Sequence, residues 1–113
     1  MNKVKLVNLE FLLELKENKE EFKLVEALTE KAYNMGHIPG AIFMPINRVD
    51  ELAPQKLSKD DRIIVYCTGY NCGSSTRVSR KLMDMGYKNI FVFKAGKFGW
   101  KKAGLKLEGE NIK

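Results

Sequence analysis

Apolar positions along the chain follow two alternating patterns. In LVNLEFLLELKENKEEF (residues 6–22), Leu9, Leu12, Leu13 and Leu15 recur near helical spacing, and Asn8 stands where a helix N-cap belongs. FKLVEA (22–27) is short, apolar and β-prone, and predicts a strand. LTEKAYNMG (28–36) predicts a short helix capped by Thr29 and stopped at Gly36. HIPGAIFMPI (37–46) joins a Pro-Gly turn to a brief strand, and RVDELAPQ (48–55) predicts one or two helical turns.

The second half repeats the alternation. RIIVYC (62–67) is an uninterrupted apolar run, the signature of a strand buried on both faces of a parallel sheet. SSTRVSRKLMDMG (74–86) sets Val78, Leu82 and Met85 on one helical face and ends on Gly86. NIFVF (89–93) is a β-branched and aromatic strand, and AGKFGWKKAGLKLEG (95–109) holds Trp100, which reads as core, in a short glycine-bounded helix. Strands alternating with helices at this spacing predict an α/β domain whose mainly parallel sheet is covered on both faces. In such sheets ligands bind at the carboxyl ends of strands, where loops run into helices. VYCTGYNCGSS (65–75), which carries both cysteines, occupies such a place.

Composition bounds the function. The 113 residues suit a single domain over 1–113, and 44% hydrophobic with 30% charged residues is ordinary for a soluble globule. No apolar stretch approaches the roughly 18–20 residues of a membrane span, and the first 22 residues do not pattern as a signal peptide. A cytoplasmic setting follows as the expectation, one in which thiols stay reduced. The net charge of +6 favours anionic partners, but the lysines are dispersed among acids and no nucleic-acid-binding signature accompanies them. A small anionic substrate is the better use of that charge.

The loop between strand 62–67 and helix 74–86 has the makings of a thiolate site. Gly69, Asn71 and Gly73 permit positive φ, so the loop is expected to curl its N–H groups inward, with Ser74 or Ser75 capping the helix. Amides and a helix N-terminus aimed at a sulfur lower its pKa below the usual value of about 8.5. Two readings stand for Cys67: a nucleophile, or a small hydrophobe closing a core strand. Cys72, in the polar part of the loop, is either reactive or incidental. A metal site is disfavoured, because the C-x4-C spacing has no second cysteine pair and the lone histidine, His37, lies far upstream. His37 reads as a loop brace rather than a base.

Several segments together resemble the rhodanese (sulfurtransferase) family. GHIPGAI (36–42) resembles its N-terminal signature, RIIVYC its active-site strand, and MGYKNIFVFKAGKFGWKKAGLKLEG (85–109) its C-terminal pattern. The resemblance implies a three-layer α/β/α sandwich around a five-stranded parallel sheet and a sulfurtransferase activity needing no cofactor. It makes Cys67 the catalytic residue, whose thiolate attacks the outer sulfur of thiosulfate or another anionic sulfane-sulfur donor. A persulfide forms and is collected by a thiol, a cyanide-like acceptor or a protein thiol, in a two-step covalent exchange. Thr68, Gly69, Tyr70, Asn71, Cys72, Gly73 and Ser74 would line the substrate site, with Tyr70 at its mouth.

The chain also departs from that family. Glu26 and Leu28 stand where an Asp-x-Arg element is usual, and Ala95-Gly96 replaces a glycine pair. The loop is about two residues longer than its commonest form and lacks an arginine near its end; the first after Cys67 is Arg77. These differences bear on the identity of the donor more than on the fold. Two other functions compete: a non-catalytic module sensing redox state through Cys67 and Cys72, and a phosphatase or arsenate reductase. The latter normally needs a loop arginine for bidentate oxyanion binding.

Overall fold

A computed structural model describes residues 4–109. Its five strands are β1 (Lys5–Val7), β2 (Lys23–Glu26), β3 (Ile42–Phe43), β4 (Arg62–Tyr66) and β5 (Asn89–Phe93). They form one sheet in the order β1-β5-β4-β2-β3, and every pairing is parallel. Parallel neighbours need crossovers. These are α1 (Leu9–Glu17), α2 (Glu30–Met35), α3 (Val49–Lys56) and α4 (Ser74–Asp84), with α5 (Gly96–Lys102) following the last strand.

β4 lies at the centre, and the alternation of its side chains builds both halves of the core. Ile63 and Val65 join Val49, Leu52, Val78 and Leu82 from α3 and α4 on one face. Ile64 and Tyr66 join Leu12, Leu15 and Trp100 from α1 and α5 on the other. The result is the expected α/β/α sandwich. Trp100 is core, its indole N–H donating to the Lys106 carbonyl at 3.0 Å.

Local chemistry sets the element ends. Asn8 Oδ1 accepts from Phe11 N at 2.9 Å and Thr29 Oγ1 from Ala32 N at 3.2 Å, so both predicted caps form. α1 stops at Glu17, because the chain turns at Asn18 and Lys19 takes a positive φ of 57°. The fifth strand, β1, precedes the Asn8 cap and is the one strand the pattern left unassigned. Its three residues sit at the sheet edge with Leu6 exposed, too short to display an alternation. RVDELAPQ becomes a 3₁₀ turn (Ile46–Arg48) running into α3. Among the described residues, no helix is long and apolar enough to cross a membrane.

Candidate active site

The carboxyl ends of β2, β4 and β5 lie side by side, with Glu26 opposite Tyr66 and Tyr66 opposite Phe93. Cys67 follows immediately and begins the loop to α4. The loop is fastened to α5: the Cys67 carbonyl accepts from Lys97 N at 3.0 Å and the Thr68 carbonyl from Phe98 N at 2.8 Å. A tight turn closes its tip, Cys72 N donating to the Gly69 carbonyl at 3.1 Å.

Gly69, Asn71 and Gly73 do not adopt the positive φ expected of them. The curl comes from the turn and from the two bonds to α5. The positive φ falls instead at Gly96, φ +56°, where a Cβ would collide with the carbonyl of Cys67 and the backbone of Thr68. Glycine is required at the element that grips the loop. Neither Ser74 nor Ser75 caps α4; Gly73 occupies the N-cap, without a side-chain bond. Ser75 is buried and turns its hydroxyl to the Cys67 sulfur at 3.5 Å.

The two cysteines are in contact and unequal. Both are free thiols. The Cys67 sulfur lies 3.4 Å from the Cys72 carbonyl, and the residue is 2% exposed, beneath the α4 N-terminus. Burial pushes its thiol up from the ordinary value, and the neighbouring Cys72 pushes it further; the Ser75 hydroxyl and N–H pull the other way without prevailing. For Cys72, partial burial is outweighed by the Cys67 thiol and the N–H groups of Thr68 and Ser74, which bring it down to about 7. The inward amides that were expected to serve Cys67 are therefore divided, and the favoured thiolate is Cys72.

A cleft of about 450 Å³ opens beside this pair, lined by Thr68, Gly69, Tyr70, Asn71, Cys72 and Phe98. Of the residues assigned to the site from sequence, those from Thr68 to Cys72 line it, while Gly73 and Ser74 lie at the helix start. Cys67 sits behind. Tyr70 and Phe98, 66% and 57% exposed, form aromatic walls, and the Lys102 ammonium lies 5.6 Å from the Phe98 ring centroid. Arg77 folds back over the first turn of α4 to the Ser74 hydroxyl, Nη2–Oγ 3.4 Å. A larger cleft, about 550 Å³, lies at the amino ends of the same strands and is bridged by Lys23–Asp61 and Arg62–Glu20 ion pairs at 3.2 and 3.1 Å.

Sequence reasoning missed the support beneath the loop. Glu26 is fully buried; its Oε1 accepts from the Tyr66 hydroxyl at 2.6 Å, and that hydroxyl accepts from Ile38 N at 3.0 Å. The Lys97 ammonium stands 3.0 Å from Glu26 Oε2 but off the hydrogen-bonding direction, so charge alone compensates that oxygen. It donates instead to the Ala32 carbonyl at 2.9 Å. The one available signal was an acid inside an apolar strand. His37 is braced as expected: it stacks on Tyr33 at 3.8 Å, and its Nδ1 lies 2.9 Å from the Tyr33 carbonyl.

The sequence model of the Rhodanese-like domain matches residues 10–103, nearly the whole chain. The chain belongs to the rhodanese-like domain family. Solved structures agree with that membership. The BH2092 protein from Bacillus halodurans superposes with a TM-score of 0.85 at 29% identity, covering 94% of this chain and 77% of that one. The rhodanese-like domain of the Alr3790 protein from Anabaena sp. gives 0.82 at 28% identity, covering 96% and 80%.

Curated relatives of this rhodanese-like domain carry differing names. An HTH-type transcriptional regulator, Rv0324 of Mycobacterium tuberculosis, is 35% identical over 89 residues, covering 78% of this chain and 38% of the regulator. A putative thiosulfate sulfurtransferase of Synechococcus elongatus is 30% identical over 115 residues, covering 82% and 35%. The chain thus spans little more than a third of the length of these two. The thiosulfate sulfurtransferase GlpE of Coxiella burnetii is 25% identical, covering 74% of this chain and 75% of that one.

Proposed function

We propose that this rhodanese-like domain is a sulfurtransferase that moves a sulfane sulfur from an anionic donor to a thiophilic acceptor through a persulfide on Cys67. The observation that carries the reading is the position of Cys67. Its sulfur closes the central strand and meets the hydroxyl and N–H of Ser75 at the start of α4. Those groups stabilise a sulfur anion without a cationic side chain. Thr68 through Ser74 form the surrounding loop, and the acceptor is a thiol or cyanide.

The direct test is turnover of thiosulfate and cyanide to sulfite and thiocyanate. The wild-type chain is expected to turn over and to gain the mass of one sulfur on Cys67, and Cys67→Ala to do neither. Undiminished transfer by Cys67→Ala overturns the proposal.

A second reading is favoured by one observation, two free thiols in one loop with the Cys67 sulfur 3.4 Å from the Cys72 carbonyl. In it the domain is a non-catalytic thiol sensor: peroxide takes two hydrogens from Cys67 and Cys72, forming a disulfide and water. Disulfide formation by a chain that takes up no sulfur selects it. The phosphatase reading loses ground, because Arg77 meets Ser74 rather than either sulfur.

A further inference from the structure

The cleft and the proposed sulfur carrier do not coincide. Cys72, not Cys67, lines the cleft, and Cys67 lies sealed behind it with its thiol donating to the Cys72 carbonyl. A donor that occupies the space between Tyr70 and Phe98 meets the Cys72 sulfur first. Against partial burial, the Cys67 thiol and the N–H groups of Thr68 and Ser74 lower the Cys72 thiol to about 7, so a negative charge is favoured there before any donor arrives.

We infer that Cys72 is a second catalytic cysteine, the portal thiol through which sulfur from an anionic sulfane donor reaches Cys67. The inference rests on the Cys67 persulfide proposed above. In the first step the Cys72 thiolate attacks the outer sulfur of thiosulfate. A Cys72 S–S bond forms, the donor's S–S bond breaks, and sulfite leaves with the electron pair. In the second step Cys67 attacks the outer sulfur of that persulfide. The S–S bond moves to Cys67, and the Cys72 sulfur departs as a thiol, taking up the proton that the Cys67 thiol gives up. One proton, three sulfurs and one negative charge stand on each side, and no outside oxidant is required. Burial then serves Cys67 as a store, since solvent thiols reach it only past Cys72.

The experiment is a single-turnover loading with thiosulfate, quenched by alkylation at successive times. Trypsin releases residues 63–77 as one peptide carrying both cysteines, and fragmentation assigns the sulfur to one or the other. In the wild type, sulfur is expected on Cys72 early and on Cys67 late. In Cys67→Ser it is expected to stay on Cys72. In Cys72→Ser and Cys72→Ala, loading of Cys67 is expected to fall by roughly tenfold or more, because a buried thiol presents little thiolate to the donor. Thermal melts of both Cys72 variants exclude misfolding as the cause.

Cys67 loading at the wild-type rate in a folded Cys72 variant overturns the portal and leaves the Cys67 persulfide standing. Sulfur confined to Cys72 in the wild type, with full transfer by Cys67→Ser, overturns the Cys67 reading instead. A wild-type chain that takes sulfur on neither cysteine removes both.

Discussion

Lys97 holds Cys67 by its backbone, N–H to carbonyl at 3.0 Å, while its side chain reaches under the sheet end to the buried carboxylate of Glu26. One residue thus joins the cysteine loop to a charge in the core. Removing one member of a buried pair strands the other without compensation. With the Lys97 side chain only 14% exposed and Glu26 at 0%, Lys97→Met is expected to cost about 3–5 kcal/mol in chemical denaturation. Adding Glu26→Gln should restore part of that loss, since the stranded charge is then gone. Equal stabilities for Lys97→Met and wild type would mean that the ion pair supports nothing.

Gly96 and Gly104 separate strain from collision. Both hold a positive φ, +56° and +86°, but a Cβ at Gly104 meets nothing within 4 Å, whereas at Gly96 it strikes the Cys67 carbonyl. Gly104→Ala should cost about 1–2 kcal/mol, the ordinary penalty of a left-handed residue. Gly96→Ala should cost more and displace the loop, seen as a larger drop in melting temperature and altered alkylation of both thiols.

The thiol pair predicts a pH profile. A thiol lowered to about 7 is anionic above that value, so alkylation of Cys72 should rise with pH, reach half its maximum near 7 and level off above. Cys67→Ala removes the neighbouring thiol that helps lower Cys72, and the midpoint should move up. Cys67 in the wild type should remain slow to alkylate across the same range, since burial holds its thiol up. Mass spectrometry of peptide 63–77 reads both sites. Faster alkylation of Cys67 than of Cys72 at neutral pH would contradict the division of amides between the two sulfurs.

His37 is structural. Its ring stacks on Tyr33, and its Nε2 lies 3.5 Å from Glu108 Oε2, where the end of the described chain returns to pair with it. His37→Ala is expected to lose about 1–3 kcal/mol through the unpaired Tyr33 carbonyl and the lost packing. The alkylation profile of Cys72 should stay in place. A shifted Cys72 midpoint in this variant would place His37 in the electrostatics of the site.

Legibility from sequence followed the range of the interactions. β4 and α4 were readable because each is written locally, in an apolar run and in the Val78–Leu82–Met85 face, and the loop between them followed. β1 was not, since three edge residues carry no period. The division of amides between Cys67 and Cys72 was hidden for another reason: it depends on a turn at Gly69–Cys72 and a grip by α5, not on glycines in the loop. Phe98 and Lys97 belong to the site through that grip alone. The Glu26–Lys97 pair joins residues far apart in the sequence, and only the sheet order brings them together.

The grip by α5 also sorts the peptide dipoles of the loop. The carbonyls of Cys67 and Thr68 are turned outward to α5, and that of Gly69 is spent on the turn. The Cys72 carbonyl takes the Cys67 thiol, and N–H groups lower both sulfurs: Thr68 and Ser74 at Cys72, Ser75 at Cys67. The loop is thus a rectifier for charge built from backbone, with no arginine between Cys67 and Ser75. A few amide dipoles suit one diffuse negative charge on sulfur better than a compact dianion, which calls for a guanidinium. A preference for one kind of anion that is set in this way is a property of how the main chain is turned.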